Sequence, residues 1–186
     1  LTVGIVGLGN VGSRVNTLLK GLGANTLLCD PPLAKEASAG DFLPLEELYD
    51  ADVLTLHVPL QLDGEHKTHH LFDAARLEEL RDDVVLINTA RGSVIDNAAL
   101  VDWKSARPDA TIIVDVWENE PNINADLLQA AFLSTPHIAG YTIQGKLNGT
   151  IAMRKALAAH FGMEESLENA FHCRHVPPPP MATHFV

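Results

Sequence analysis

Cysteine is almost absent: of 186 residues only Cys29 and Cys173 carry a thiol. Two distant thiols make no disulfide framework, which favours a reducing compartment, and Cys29, inside an apolar run, reads as core. Basic residues are also scarce, 13 against 24 acidic, for a formal net charge of -11 at pH 7. That sign offers no general attraction to nucleic acid or an anionic membrane, although a local positive pocket can exist in an acidic protein. No apolar run reaches the roughly 20 residues that span a bilayer, and no leader pattern opens the chain. The expectation is a cytoplasmic protein with neither nucleic acid nor membrane as partner.

What is present is an alternation. A hydrophobic content of 46% supports one domain with a substantial core and part of a second. Leu1 to Val6 is a short apolar strand, followed by Gly7-Leu8-Gly9-Asn10-Val11-Gly12 and a helix marked by Val15, Leu18, Leu19 and Leu22. A second strand, Asn25 to Cys29, ends at Asp30, where Pro31-Pro32 stops it. Strands are then expected at 53–57, 84–87, 111–114 and 132–134. Helices are expected at 45–49, 74–80, 97–103 and 125–130, with a packed helix over 144–161 carrying Leu147, Ile151, Leu157 and Phe161. Apolar strands alternating with amphipathic helices predict an α/β fold of the Rossmann type, a doubly wound parallel sheet covered on both faces. The chain starts within a strand and closes on Thr183-His184-Phe185-Val186. The expectation is thus a domain excised from a two- or three-domain enzyme, with residues 1–161 binding a dinucleotide. Residues 162–186, with their prolines at 177–180, form an exit segment.

Three glycines between a strand and a helix have separate physical tasks. Gly7 permits the tight turn, Gly9 leaves room for a pyrophosphate, and Gly12 lets the helix approach the sheet. Backbone amides at the helix start, around Asn10 and Val11, then face the anion. Asp30, eighteen residues beyond Gly12 at the end of the second strand, can accept hydrogen bonds from the ribose hydroxyls and would repel the additional phosphate of NADP. NAD is therefore favoured, with a solvated turn aspartate as the bland alternative. The glycine pattern alone does not separate NAD from FAD.

In an open parallel sheet, ligands lie beyond the carboxyl ends of the strands, where His57, Arg91, Asp115, Glu120 and His137 fall. Oxidation of a 2-hydroxy acid needs a base for the hydroxyl proton, and His137 suits that role. Glu120 could orient the ring and stabilise its protonated form. Arg91 offers a planar fork to a carboxylate, and Asp115 could hold the nicotinamide carboxamide or ribose. Each also has a plainer reading: a structural histidine, a solvated loop acid, a sheet-end arginine, a turn cap. His57 reads as structural, and Trp103 and Trp117 as core anchors. His66, His69 and His70 cluster, as do His172, Cys173 and His175, but neither group has a recognisable metal signature, so no metal is expected.

Four ordered stretches at strand ends carry a family resemblance: Val6 to Gly12, Asn88-Thr89-Ala90-Arg91-Gly92, Asp115-Val116-Trp117-Glu118-Asn119-Glu120-Pro121 and Thr135-Pro136-His137-Ile138-Ala139-Gly140. Over roughly residues 1–161 the sequence resembles the D-isomer-specific 2-hydroxyacid dehydrogenases. The resemblance implies Arg91, Glu120 and His137 as the active-site group. It implies NAD contacts from Gly7, Gly9, Asn10, Val11, Gly12, Asp30, Val58, Thr89, Ala90, Arg91, Asp115 and Gly140. It also implies substrate contacts from Arg91, His137 and Tyr141. Val58 stands where close relatives are expected to have threonine, so a backbone contact to NAD would survive there and a hydroxyl contact would not. The run Ala139 to Lys146, with Gly149-Thr150 after it, narrows the likeness to a branch acting on a small phosphorylated 2-hydroxy acid. That branch implies a homodimer formed through regions outside this chain. A relative acting on 3-phosphoglycerate or hydroxypyruvate, and a non-catalytic NAD-sensing module, remain open.

Overall fold

The computed structural model describes residues 1–36 and 42–163. Its centre is one six-stranded sheet: β1 (Thr2–Val6), β2 (Asn25–Cys29), β3 (Val53–Leu56), β4 (Val85–Asn88), β5 (Thr111–Val114) and β6 (Leu133–Ser134). The spatial order is β2-β1-β3-β4-β5-β6, and every pairing is parallel. From β1 the chain winds outward to β2, then returns to the other side of β1 for β3. Because crossovers keep one hand, that reversal puts the connecting helices on opposite faces and opens a crevice at the ends of β1 and β3.

The burial pattern fits this winding. Val3, Ile5 and Leu28 pack with Val15 and Leu19 of α1 (Gly12–Gly21). Leu54, Leu56, Leu86 and Ile112 form the other core. Leu77 of α3 (Ala74–Glu78), Leu100 and Trp103 of α4 (Asn97–Ala106) and Leu127 of α5 (Ala125–Ala130) complete it. With both faces covered, the strands read as continuous apolar runs. Cys29 and Trp117 are core residues, as expected, and burial pushes the Cys29 thiol up to about 11, aided by the charges of Asp30 and Glu46.

Helix starts follow local chemistry. The Asp73 carboxylate accepts from the Arg76 amide, Asp96 from the Ala98 and Ala99 amides, and Asn124 from the Asp126 and Leu127 amides, each satisfying donors that the first turn leaves unpaired. One helix was not expected. Where Pro31-Pro32 was read as only a stop, α2 (Pro31–Glu36) begins. Asp30 accepts from the Leu33 amide, and proline suits the first helical turn because no intrahelical partner is lost there.

The described chain divides into two compact units, Leu1–Thr142 and a second beginning at Ile143. The second contains α6 (Ile143–Phe161), none of whose residues is buried. The packed helix expected over 144–161 is thus a helix without burial. Leu157 and Phe161 are exposed, and its apolar residues are spread around the axis rather than gathered in one stripe. Among the described residues no helix is long and apolar enough to cross a membrane. Cys173, its neighbours His172 and His175, and the prolines at 177–180 lie outside the described residues.

Candidate active site

At the crevice, the glycine loop is held by contacts that tolerate no side chain. Gly7 adopts φ +90°, and a Cβ there would lie 2.8 Å from the carbonyl carbon and oxygen of His57. A Cβ on Gly12 would lie 1.9 Å from the Gly7 carbonyl oxygen, so helix and turn meet backbone to backbone. At Gly9 nothing stands within 4 Å of the missing Cβ. The first and third glycines serve the protein's own packing, and the second leaves an open cradle of the kind a pyrophosphate would fill. Asn10 and Val11 stand at the helix start, as the anion-binding reading requires.

Asp30 does more than face the crevice. Its Oδ2 accepts from the Leu8 amide at 2.7 Å and its Oδ1 from the Leu33 amide at 3.1 Å. The carboxylate thus ties the glycine loop to α2, and each oxygen keeps a further lone pair for a ribose hydroxyl. A cleft of about 640 Å³ runs from here past Gly7, Gly9, His57 and Val58. The donor set and the opening over Gly9 fit a dinucleotide. His57 pairs its Nε2 with Thr55 Oγ1 at 3.0 Å, and burial lowers its basicity, in keeping with a structural role.

The ends of β4, β5 and β6 build the other half. Asn88 and Val114 are register partners, so the loops after β4 and β5 emerge side by side. Asp115 is buried, 3% exposed. Its Oδ1 accepts from the Thr135 hydroxyl at 2.5 Å and the Ile138 amide at 2.7 Å, and its Oδ2 from the Ala139 amide at 3.0 Å. Burial alone would raise this carboxyl, but those hydrogen bonds and the nearby His137 outweigh it and hold it below the ordinary value. Asp115 therefore fixes the 135–139 segment, a role in addition to any contact with NAD. Gly140, next along, has nothing within 4 Å of a built Cβ, and Tyr141 is exposed.

His137 sits at φ +54°, left-handed backbone that is uncommon outside glycine. Its amide donates to Asp115 O at 2.7 Å. Its ring Nδ1 lies 2.8 Å from Glu120 Oε2, while Glu120 Oε1 accepts from the Trp117 amide at 2.8 Å. The carboxylate accepts a hydrogen bond from Nδ1–H, so Nε2 is left as the basic nitrogen. Burial would raise the Glu120 carboxyl, but His137 and the Trp117 amide more than offset it and hold it below the usual range. A hollow of about 420 Å³ beside the pair is walled mainly by Trp117, Pro121, Ile123, Leu128 and Pro136.

Arg91, in the loop after β4, donates from Nη1 to the Ala90 carbonyl at 2.6 Å. Asn88 shapes this loop: its Nδ2 donates to Arg91 O at 3.0 Å, and its Oδ1 accepts from the Ala90 amide at 3.1 Å, with Thr89 at the crest between them. The structure brings Glu120 and His137 into direct contact. Arg91 belongs to a loop pressed against theirs, since a Cβ on the adjacent Gly92 would lie 1.9 Å from the Trp117 carbonyl carbon. Buried Asn97 clasps the same two loops. Its Nδ2 donates to Ile95 O at 2.9 Å and Gly92 O at 3.3 Å, and its Oδ1 accepts from the Glu118 amide at 3.1 Å. The sequence offered no sign of Asn97 or Thr135 as supports, because both act on residues about twenty positions away.

Residues 1–139 match the family described as D-isomer specific 2-hydroxyacid dehydrogenase, NAD binding domain. The chain is 51% identical over 167 residues to erythronate-4-phosphate dehydrogenase of Pectobacterium carotovorum subsp. carotovorum, covering 89% of this chain and 44% of that protein. It thus spans under half the length of such curated relatives. Among solved structures, a D-lactate dehydrogenase from Aquifex aeolicus, complexed with NAD and lactic acid, is 30% identical with a TM-score of 0.68, over 86% of this chain and 54% of that one. A glyoxylate reductase from Paecilomyes thermophila is 30% identical with a TM-score of 0.70, over 85% and 48%. Open cradle, carboxylate-backed histidine and sequence match converge: the chain belongs to the NAD-binding domains of the D-isomer specific 2-hydroxyacid dehydrogenases.

Proposed function

We propose that this chain is the cofactor-binding part of an enzyme that oxidises 4-phosphoerythronate to 2-oxo-3-hydroxy-4-phosphobutanoate, a step of pyridoxal 5'-phosphate synthesis. The observation that carries the reaction type is the 2.8 Å contact between His137 Nδ1 and Glu120 Oε2, which leaves Nε2 as the base. The substrate rests on the likeness to erythronate-4-phosphate dehydrogenases and on the run Ala139 to Lys146. The enzyme acts in the cytoplasm as a homodimer whose contacts lie outside this chain. Residues 1–161 act as the nucleotide domain, and 162–186 lead toward the parts that close the cleft.

Bound NAD supplies the hydride acceptor. Arg91 turns its guanidinium to the substrate carboxylate, two parallel hydrogen bonds fixing C2. His137 Nε2 takes the C2 hydroxyl proton as the C2–H bond breaks and C2=O forms. Glu120 stabilises the imidazolium so produced, and in the reverse direction His137 returns the proton. Thr89, Ala90 and Val58 line the cofactor path through backbone groups, Asp115 and Gly140 border the nicotinamide end, and Tyr141 faces the substrate.

The test is an assay of the full-length enzyme with 4-phosphoerythronate and, separately, 3-phosphoglycerate. Strong preference for the first, abolished by His137→Ala, is the expected result. Preference for 3-phosphoglycerate would keep the mechanism and discard the substrate. Turnover that survives His137→Ala would discard the mechanism.

A further inference from the structure

Outside the lining of both hollows, three potential metal ligands from two distant segments meet. His69 and His70 lie between β3 and α3, and Glu118 lies in the loop after β5. A ring nitrogen from each histidine and a carboxylate oxygen all lie within 4.8 Å of one another. His70 Nε2 is 2.7 Å from Glu118 Oε1. The two imidazoles stack with centroids 4.0 Å apart and planes 20° from parallel, so both rings can turn an edge toward one carboxylate.

The surroundings are built to hold this arrangement. The His69 amide donates to Gln61 O at 2.9 Å and the His70 amide to Ser93 O at 2.8 Å. His70 is kept at φ +48°, a conformation that a residue with a side chain adopts at a cost. Glu118 Oε2 accepts from the Asn97 amide at 3.1 Å, which leaves Oε1 to the histidines. Behind the ring, Asp96 Oδ2 lies 3.6 Å from His70 Nδ1. That is longer than a hydrogen bond, so Asp96 acts as a nearby negative charge that favours the tautomer with hydrogen on Nδ1 and the lone pair on Nε2.

We infer that His69, His70 and Glu118 form a site for a divalent transition-metal ion, with Zn²⁺ as the ion that tests it. Two imidazoles and one carboxylate are a borderline N/O set that suits zinc, whereas Mg²⁺ and Ca²⁺ require oxygen ligands. The three side chains are half-buried, which leaves a fourth position for water. Zinc–ligand bonds of about 2.0–2.2 Å set the donors ~3.3 Å apart in a tetrahedron, so binding opens the His70–Glu118 contact by about half an ångström. The tautomer that binds carries its hydrogen on Nδ1, toward Asp96, and offers the Nε2 lone pair to the ion. Glu118 stands two residues before Glu120, so the ion clamps the loop that supports His137 to the 69–70 segment.

The test titrates metal-stripped full chain, without a histidine tag, with Zn²⁺ alone against a chromophoric chelator. A Cys173→Ser, His175→Ala background silences the other Cys/His group. One equivalent is expected to bind. His69→Gln and Glu118→Gln should each weaken binding by about 100-fold, and Asp96→Asn, which preserves the helix cap, by about 10-fold. Co²⁺ should give a visible ligand-field band that His70→Gln removes. No binding in the background protein, or unchanged affinity in folded His69→Gln and Glu118→Gln, overturns the site. If Glu118→Gln does not fold by circular dichroism, His69→Gln alone decides.

Discussion

The two ends of the crevice are constructed on different principles. At the glycine loop, shape comes from the absence of side chains: Gly7 and Gly12 meet backbone atoms of neighbouring segments, and Gly9 leaves space. At the ends of β5 and β6, shape comes from carboxylates that gather donors, Asp115 buried and Glu120 at the surface. Asp115 draws in the Thr135 hydroxyl and two amides, and Glu120 holds the His137 ring and the Trp117 amide. A steric device suits a cofactor whose phosphates need room and amides. A charged device suits a proton-transferring residue whose ring must be oriented and whose cationic state must be stabilised.

The largest effect that would separate the two ends is His137→Ala in the full-length enzyme. Turnover should fall by about 10³-fold or more, with NAD affinity measured by fluorescence titration nearly unchanged. A parallel loss of NAD binding would break the separation. Gly92→Ala, whose Cβ would overlap the Trp117 carbonyl, should destabilise the chain by about 3 kcal/mol in urea unfolding. Glu120→Gln retains a hydrogen-bond partner for His137 but loses its charge. Turnover should drop by about 10-fold, the difference between a charge-assisted and a neutral hydrogen bond.

Acid should act on the carboxylate-built end. Asp115 and Glu120 are both held below their ordinary values in the fold. Their contribution to stability is therefore complete above the unfolded carboxylate range of about 4 and is lost as pH falls through the lower folded values. A Tm–pH profile should decline below about pH 4, and Asp115→Asn should flatten that decline; an unaltered slope would remove Asp115 as its source. The smallest expected effect on stability is Gly9→Ala, within about 0.5 kcal/mol because the added methyl meets nothing. The same change should weaken NAD by at least about 10-fold, because the methyl enters the space assigned to the pyrophosphate.

Much of the sheet could be read directly because each strand is a short apolar run and the helices after β3, β4 and β5 begin at the capping side chains Asp73, Asp96 and Asn124. The glycine loop was legible because its pattern occupies consecutive positions 7–12, although the carbonyl that excludes a side chain at Gly7 belongs to His57. The missed helix at Pro31–Glu36 shows the limit of reading proline only as a stop, since Asp30 caps that helix. In the candidate site, Glu120 and His137 could be named from strand-end position and family likeness. The supports Thr135, Asn97 and Gly92 could not, because each earns its role from a partner on another strand end.

The sequence by itself determined the apolar alternation, the direction of winding it demands, the turn at Gly7 and the types of residue at the strand ends. These follow from local sterics and from the need to bury apolar faces. Only the tertiary structure decided which of those residues meet. The β4–β5 register places Asn88 beside Val114, the two following loops share a backbone contact at Gly92, and Glu118 reaches His70 across 48 positions of sequence. Hydrogen bonds and ligand geometry act over about 3 Å, and sequence separation says nothing about that distance until the sheet has aligned the strand ends.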